Sequence, residues 1–119
     1  MKKIGKIKDD VINVLGLSID AGTPIFIGDS NINHMIKKHP KDYNEYGKYI
    51  TDIIDKPDYV GYNFKNDSIE YVKEFSVNNE FVKVAVRVTI QGNFFARSLY
   101  VLNNNRVNNF IAKGSLKKV

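Results

Sequence analysis

The chain has 119 residues, 43% of them hydrophobic and 12% aromatic, with a formal charge of +5 and a pI near 9.3. A domain of that length buries roughly two thirds of its unfolded surface, so one core over residues 1–119 is expected. With no cysteine, disulfides and thiolate metal sites are excluded, and two histidines without an HExxH spacing argue against a catalytic zinc.

No apolar run reaches the length of a membrane span, and the start MKKIGKIKDD lacks the apolar centre of a signal peptide. A soluble, cytoplasmic protein without a membrane partner is the expectation. The positive balance suits polyanions, nucleic acid among them, through steering and counterion release.

The first predicted element is a helix over Lys8 to Leu15, with Val11, Ile12 and Leu15 as its apolar stripe. Asp9 and Asp10 stand in its first turn, where carboxylates complement the helix dipole, and Gly16 is a natural stop. After the loop Ser18 to Thr23, Pro24 to Gly28 reads as a short strand, placed at an edge or a strand start by its proline. Asp29 or Ser30 is expected to cap the next helix, Asn31 to His39, whose stripe is Ile32, Met35, Ile36 and His39. His34 lies on its far side, and Pro40 ends it. A further helix is predicted over Asp42 to Asp55, with Tyr43, Tyr46, Ile50, Ile53 and Ile54 turned inward, until Lys56-Pro57-Asp58 breaks it.

The pattern then changes to strands: Tyr59 to Phe64, a turn at Lys65-Asn66-Asp67, and Ser68 to Phe75. On the latter, Ile69, Tyr71, Lys73 and Phe75 share a face, so Lys73 either snorkels at a strand end or is held inward for a purpose. Asn78-Asn79 marks another turn. Phe81 to Leu102 follows as two long strands, joined by Gly92-Asn93 as a two-residue hairpin turn.

Counting outward from that turn places Arg87 opposite Ser98 and Ala85 opposite Tyr100, on one small polar face. The other face carries Val82, Val84, Val86, Val88 and Ile90 against Phe95, Leu99 and Val101, and is expected to meet the core. Arg97 falls opposite Val88 on that apolar face, so it either reaches the rim or marks a bulge. The polar face either meets water, as in many antiparallel sheets, or gathers groups for a phosphate or small ligand. In the tail, Val107, Phe110 and Ile111 have helical spacing up to Gly114, although a last strand fits too. Helices first and an antiparallel meander after them make an α+β design, with the helices on one face of the sheet.

Five segments in this order, PIFIGDSNINHMIKKHP, IIDKPDYVG, SIEYVK, VAVRV and FFARSLY, resemble the phage-associated branch of the barnase–EndoU–colicin–RelE superfamily of metal-independent ribonucleases, the BECR fold. The resemblance spans about residues 24 to 116. It implies N-terminal helices packed on a roughly four-stranded antiparallel sheet. It also implies a site drawn from a helical histidine, basic strand residues, and a Thr or Ser followed two residues later by Tyr. Carried across, these are His34 and His39, Lys73 and Arg87, and Ser98 with Tyr100; Ser98 stands where threonine is expected.

The implied activity is endonucleolytic cleavage of RNA through a 2′,3′-cyclic phosphate, without cofactor or metal, in a toxin or phage effector that an inhibitor or immunity protein could restrain. A catalytically silent nucleic-acid- or protein-binding module on the same fold is the alternative. The residue types suit the chemistry. Cleavage without a metal needs a base for the 2′-hydroxyl proton, cations for the phosphate charge, and an acid for the leaving oxygen. A histidine serves as base or acid, Arg87 offers a planar fork to phosphate and Lys73 a point charge. Ser98 can donate to a phosphate oxygen, and Tyr100 can donate to the phosphate or stack on a base.

Overall fold

Val82, Val84 and Val86 are fully buried, and the remaining strands are arranged around the strand that carries them. A computed structural model describes all of residues 1–119. The elements run β1 (Lys2–Lys6), α1 (Asp9–Leu15), β2 (Pro24–Ile27), α2 (Asp29–Lys38), α3 (Pro40–Tyr46), a single 3-10 turn (Gly47–Tyr49) and α4 (Ile50–Asp55). They continue with β3 (Tyr59–Asn63), β4 (Ser68–Phe75), β5 (Glu80–Val88), β6 (Phe94–Leu102), α5 (Asn104–Lys113) and β7 (Lys117–Lys118). None of the helices is long and apolar enough to cross a membrane.

The fold is α+β, but the sheet has seven strands, in the order β1-β2-β6-β5-β4-β3-β7, rather than four. Nor is it wholly antiparallel, because β2 runs parallel to β6 through Ile25↔Phe94 and Phe26↔Phe95. The expected meander β3–β6 forms the centre. Of the additions, β1 and β7 are edge pieces with weak local signals, while β2, expected as a strand that Pro24 starts or places at an edge, lies inside the sheet between β1 and β6. In β1, Lys2, Lys3 and Lys6 supply the exposed cations that discourage edge pairing, while Ile7 just beyond it is buried.

One face of the sheet carries the main core, a cluster of 17 buried residues. It joins Val82, Val84, Val86 and Leu99 to Val11 of α1, Met35 of α2, Tyr46 of α3 and Ile53 of α4. The predicted helix over Asp42 to Asp55 is interrupted by the 3-10 turn, yet its inward stripe holds. The helices do not all lie on that face. Val72 and Leu102 form an apolar end on the opposite one, and α5 covers it with Val107, backed by Leu116. Asn103 caps α5 by accepting from the amides of Asn105 at 2.9 Å and Arg106 at 3.3 Å. The rest of that face stays open, and there the polar groups gather.

The β5–β6 register differs from the expectation through two local devices. The turn is not a two-residue Gly92-Asn93 turn. Thr89 and Asn93 close a three-residue loop, with the Thr89 amide donating to the Asn93 carbonyl at 2.7 Å and Gly92 in the left-handed region at φ 85°. A bulge then falls between Ala85↔Ser98 and Val86↔Ala96, leaving Arg97 as the extra residue. Near the turn the faces are therefore exchanged: Ala96 is buried in the core, and Phe95 pairs with Arg87. Beyond the bulge the expected face is restored, but each pair slides by two residues. Ser98 stands opposite Ala85 and Tyr100 opposite Lys83. Val88 and Ile90, expected at the core, are exposed beside the loop.

Candidate active site

The strands supply the platform by alternation. Ser68 and Glu70 of β4, Lys83, Ala85 and Arg87 of β5, and Ser98 and Tyr100 of β6 share the open face, because Ser68↔Arg87, Glu70↔Ala85, Ala85↔Ser98 and Lys83↔Tyr100 are direct pairs. The bulge turns Arg97 out of the strand and toward this face, since an unpaired residue on a bulged strand leaves the alternation. Helix α2 adds His34 at the rim. Together they line a cleft of about 250 Å³ that also reaches Asn63 and Asn66 of the β3–β4 turn.

His34 points into this cleft because Met35, its neighbour, is buried against the core, which leaves His34 on the solvent side. The start of α2 is fixed by Asn31, whose side-chain oxygen accepts the Gly28 amide at 2.9 Å. The cap is therefore at Gly28, one residue ahead of Asp29 and two ahead of Ser30, the caps expected there. His39 takes a different position. It is the joint between α2 and α3, its amide donating to the Met35 carbonyl at 2.9 Å, and its ring stacks on Tyr100 with centroids 4.9 Å apart. The joint is tied to β6 by Asp42, whose carboxylate accepts the Val101 amide at 3.0 Å.

Charge on the platform is unevenly compensated. Lys83 donates to Glu70 at 2.9 Å, with the two side chains only 13% and 18% exposed, and its ammonium lies 4.7 Å from the centre of the Tyr100 ring. Burial opposes the charged form of Lys83, but Tyr100 and the Glu70 carboxylate outweigh it, so its pKa is raised. Arg87 and Arg97 make no ion pair with any carboxylate, and Arg87 is half-buried. A desolvated guanidinium without a partner favours an incoming anion, and its fork matches phosphate oxygens.

Of the residues predicted from sequence, the structure brings His34, Arg87, Ser98 and Tyr100 to one cleft, with His39 behind Tyr100. Lys73 does not join them. It lies on the opposite face of β4, in line with Ile69 and Tyr71, and its ammonium donates to the Lys56 carbonyl at 2.8 Å. This is the snorkelling alternative: the ammonium escapes the apolar face to a loop carbonyl at the strand end. Lys83, Arg97 and Glu70 were missed. Lys83 is legible after the fact, since it is two and four residues from Ala85 and Arg87 along the same alternation.

Residues 2–109 match the family described as phage-Barnase-EndoU-ColicinE5/D-RelE like nuclease3. No curated protein and no solved structure matches the chain.

Proposed function

The chain belongs to this family of phage-associated nucleases, and on that footing we propose that it is an endoribonuclease that cleaves RNA through a 2′,3′-cyclic phosphate. The observation that carries the reading is one cleft holding the His34 imidazole, the hydroxyls of Ser98 and Tyr100, and two guanidiniums without carboxylate partners, Arg87 and Arg97.

In this reading the scissile phosphate sits between Arg87 and Arg97, and Ser98 donates to one of its oxygens. His34 takes the proton of the 2′-hydroxyl, the 2′-oxygen attacks phosphorus, and the bond from phosphorus to the 5′-oxygen breaks. The departing oxygen takes a proton from the Tyr100 hydroxyl, whose transient negative charge the neighbouring Lys83 ammonium offsets. His34 then gives its proton to solvent and Tyr100 regains one. His39 acts by holding the Tyr100 ring and is a positioning residue. The positive charge that a metal ion would bring comes from Arg87, Arg97 and Lys83. A phage-associated family suits a toxin or effector, and an inhibitor protein covering this open face would restrain it.

The test is end-labelled RNA incubated with the protein in EDTA, beside Arg87→Ala and His34→Ala. The parent should leave cyclic-phosphate ends, and each variant should lose roughly 100-fold or more in rate, the scale for removing a group that stabilises transition-state charge, as in Arg87→Ala, or a general base, as in His34→Ala. His39→Ala should lose less. RNA that stays intact but is retarded in a gel by the parent would replace this reading with a silent binding module.

A further inference from the structure

Of the 24 buried residues, all but one are apolar or aromatic; the exception is Ser68 at the start of β4, 2% exposed. It stands on the open face, opposite Arg87 of β5 on one side and Asn63 of β3 on the other, and it lines the cleft. Its hydroxyl makes no hydrogen bond within the chain. The Tyr71 hydroxyl also lacks a partner, but it is sealed in the core, whereas the Ser68 oxygen keeps a small opening on the cleft. A hydroxyl with no structural bond to make, held at the floor of a polar cleft, calls for a reason outside the fold.

Resting on the ribonuclease reading above, we infer that Ser68 is a further substrate-binding residue, its hydroxyl donating to a non-bridging oxygen of the phosphate that Arg87 holds. Three observations lead there. The row Asn63–Ser68–Arg87 offers donors alone. The Asn63 side-chain oxygen already accepts the amides of Lys65 at 3.0 Å and Asn66 at 3.2 Å, which leaves its amide nitrogen. A row of donors fits a charged group rich in acceptor oxygens, as a phosphodiester is. Two residues further along β4 the balance reverses, because Glu70 brings a carboxylate and takes up the Lys83 ammonium at 2.9 Å. An anion entering the cleft therefore settles at the Ser68 end, beside Arg87 and Arg97, and not over Glu70. Finally, a substrate that covers the cleft cuts the Ser68 oxygen off from water. It must supply the missing acceptor, or the hydroxyl is left buried and unpaired.

The experiment compares the full chain with Ser68→Ala in three measurements. These are the denaturant midpoint, the affinity for a short single-stranded 2′-O-methyl RNA, which binds without being cut, and cleavage of unmodified RNA. The midpoint of Ser68→Ala should equal or exceed the parent's, since no bond within the fold is lost. Its affinity should fall roughly tenfold or more, the scale for a hydrogen bond to a charged group, and kcat/KM at least as much. The slope of log K against log salt should stay that of the parent, because a neutral donor releases no counterion. Ser18→Ala, which removes a hydroxyl from an exposed loop, should match the parent throughout. A lower midpoint would make Ser68 a structural residue, a shallower slope would mean that it acts through Arg87 and Arg97, and an unchanged affinity would mean no contact; each overturns the inference. Cleavage separates it from the reading it rests on. A parent that binds without cutting, with affinity lost in Ser68→Ala, keeps Ser68 as a phosphate ligand and defeats the ribonuclease. A parent that cuts, with Ser68→Ala equal to it, defeats Ser68 alone, and neither binding nor cutting defeats both.

Discussion

Tyr46 shows how a side chain outside the cleft contributes to the alkaline limit of the fold. It is buried, its hydroxyl donates to Glu80 at 2.6 Å and accepts from Asn78 at 3.0 Å, and its ring packs on Phe75 with centroids 4.8 Å apart. Burial, and then the hydrogen bond to Glu80, push its pKa up from 10.0 to about 12. A raised folded pKa means that the contribution is whole below the unfolded value and is lost as pH rises through the folded one. Thermal melts of the parent should therefore decline between pH 10 and about 12. Tyr46→Phe should flatten that limb while costing about 1–2 kcal/mol at pH 7, because Glu80 and Asn78 lose their partner. Burial also raises the Tyr71 and Tyr62 hydroxyls, and the pKa of Lys83 is raised too, so these add to the same alkaline decline and some slope should survive in the variant. A Tyr46→Phe curve parallel to the parent's would reject this assignment.

At the level of the elements, the docking of α5 depends on a single missing side chain. A Cβ at Gly61 of β3 would stand 2.5 Å from the Ser115 carbonyl oxygen and 3.2 Å from Leu116. The contact is with backbone, so the segment joining α5 to β7 would have to move. Gly61→Ala should destabilise by about 1–3 kcal/mol, the range for overpacking, read as a lower denaturant midpoint. An unaltered midpoint would show that this segment yields freely. Nothing in the local sequence announces such a contact, because it joins residues 54 positions apart. What the sequence does reveal is alternation. Val82, Val84 and Val86 of β5 are read correctly as core, though Val88 is not, and Arg87, Ser98 and Tyr100 share one face as read. The pairing between them is not legible, because a three-residue loop and a bulge at Arg97 each change the count by an amount that local pattern leaves open. Lys73 was drawn into the site by a family position, although its own neighbours Ile69 and Tyr71 already placed it on the other face. The parallel contact of β2 with β6 is long-range and has no periodic signature at all.

Across the whole molecule the charge of +5 is less informative than where unpaired cations stand. Lys2, Lys3 and Lys6 lie on the outermost strand at one end of the sheet, and Lys117 and Lys118 at the other, each edge separated from the β4–β5–β6 platform by one strand. The platform itself carries Arg87 and Arg97 free of carboxylates and Lys83 shared with Glu70. If binding used the overall charge, removing any lysine would matter equally. If it used the cleft, only the platform cations would. Single-stranded RNA releases about 0.7 counterion per neutralised phosphate. Arg87 and Arg97 share one phosphate in this reading, so the slope of log K against log salt for an uncleavable single-stranded 2′-O-methyl RNA should become shallower by about 0.7 when Arg87→Ala and Arg97→Ala are combined. Replacing Lys117 and Lys118 together by alanine removes as much charge from the molecule and should leave the slope within error of the parent's. Equal losses from the two pairs would mean that RNA is held by the whole surface, and the cleft would lose its claim to the phosphate.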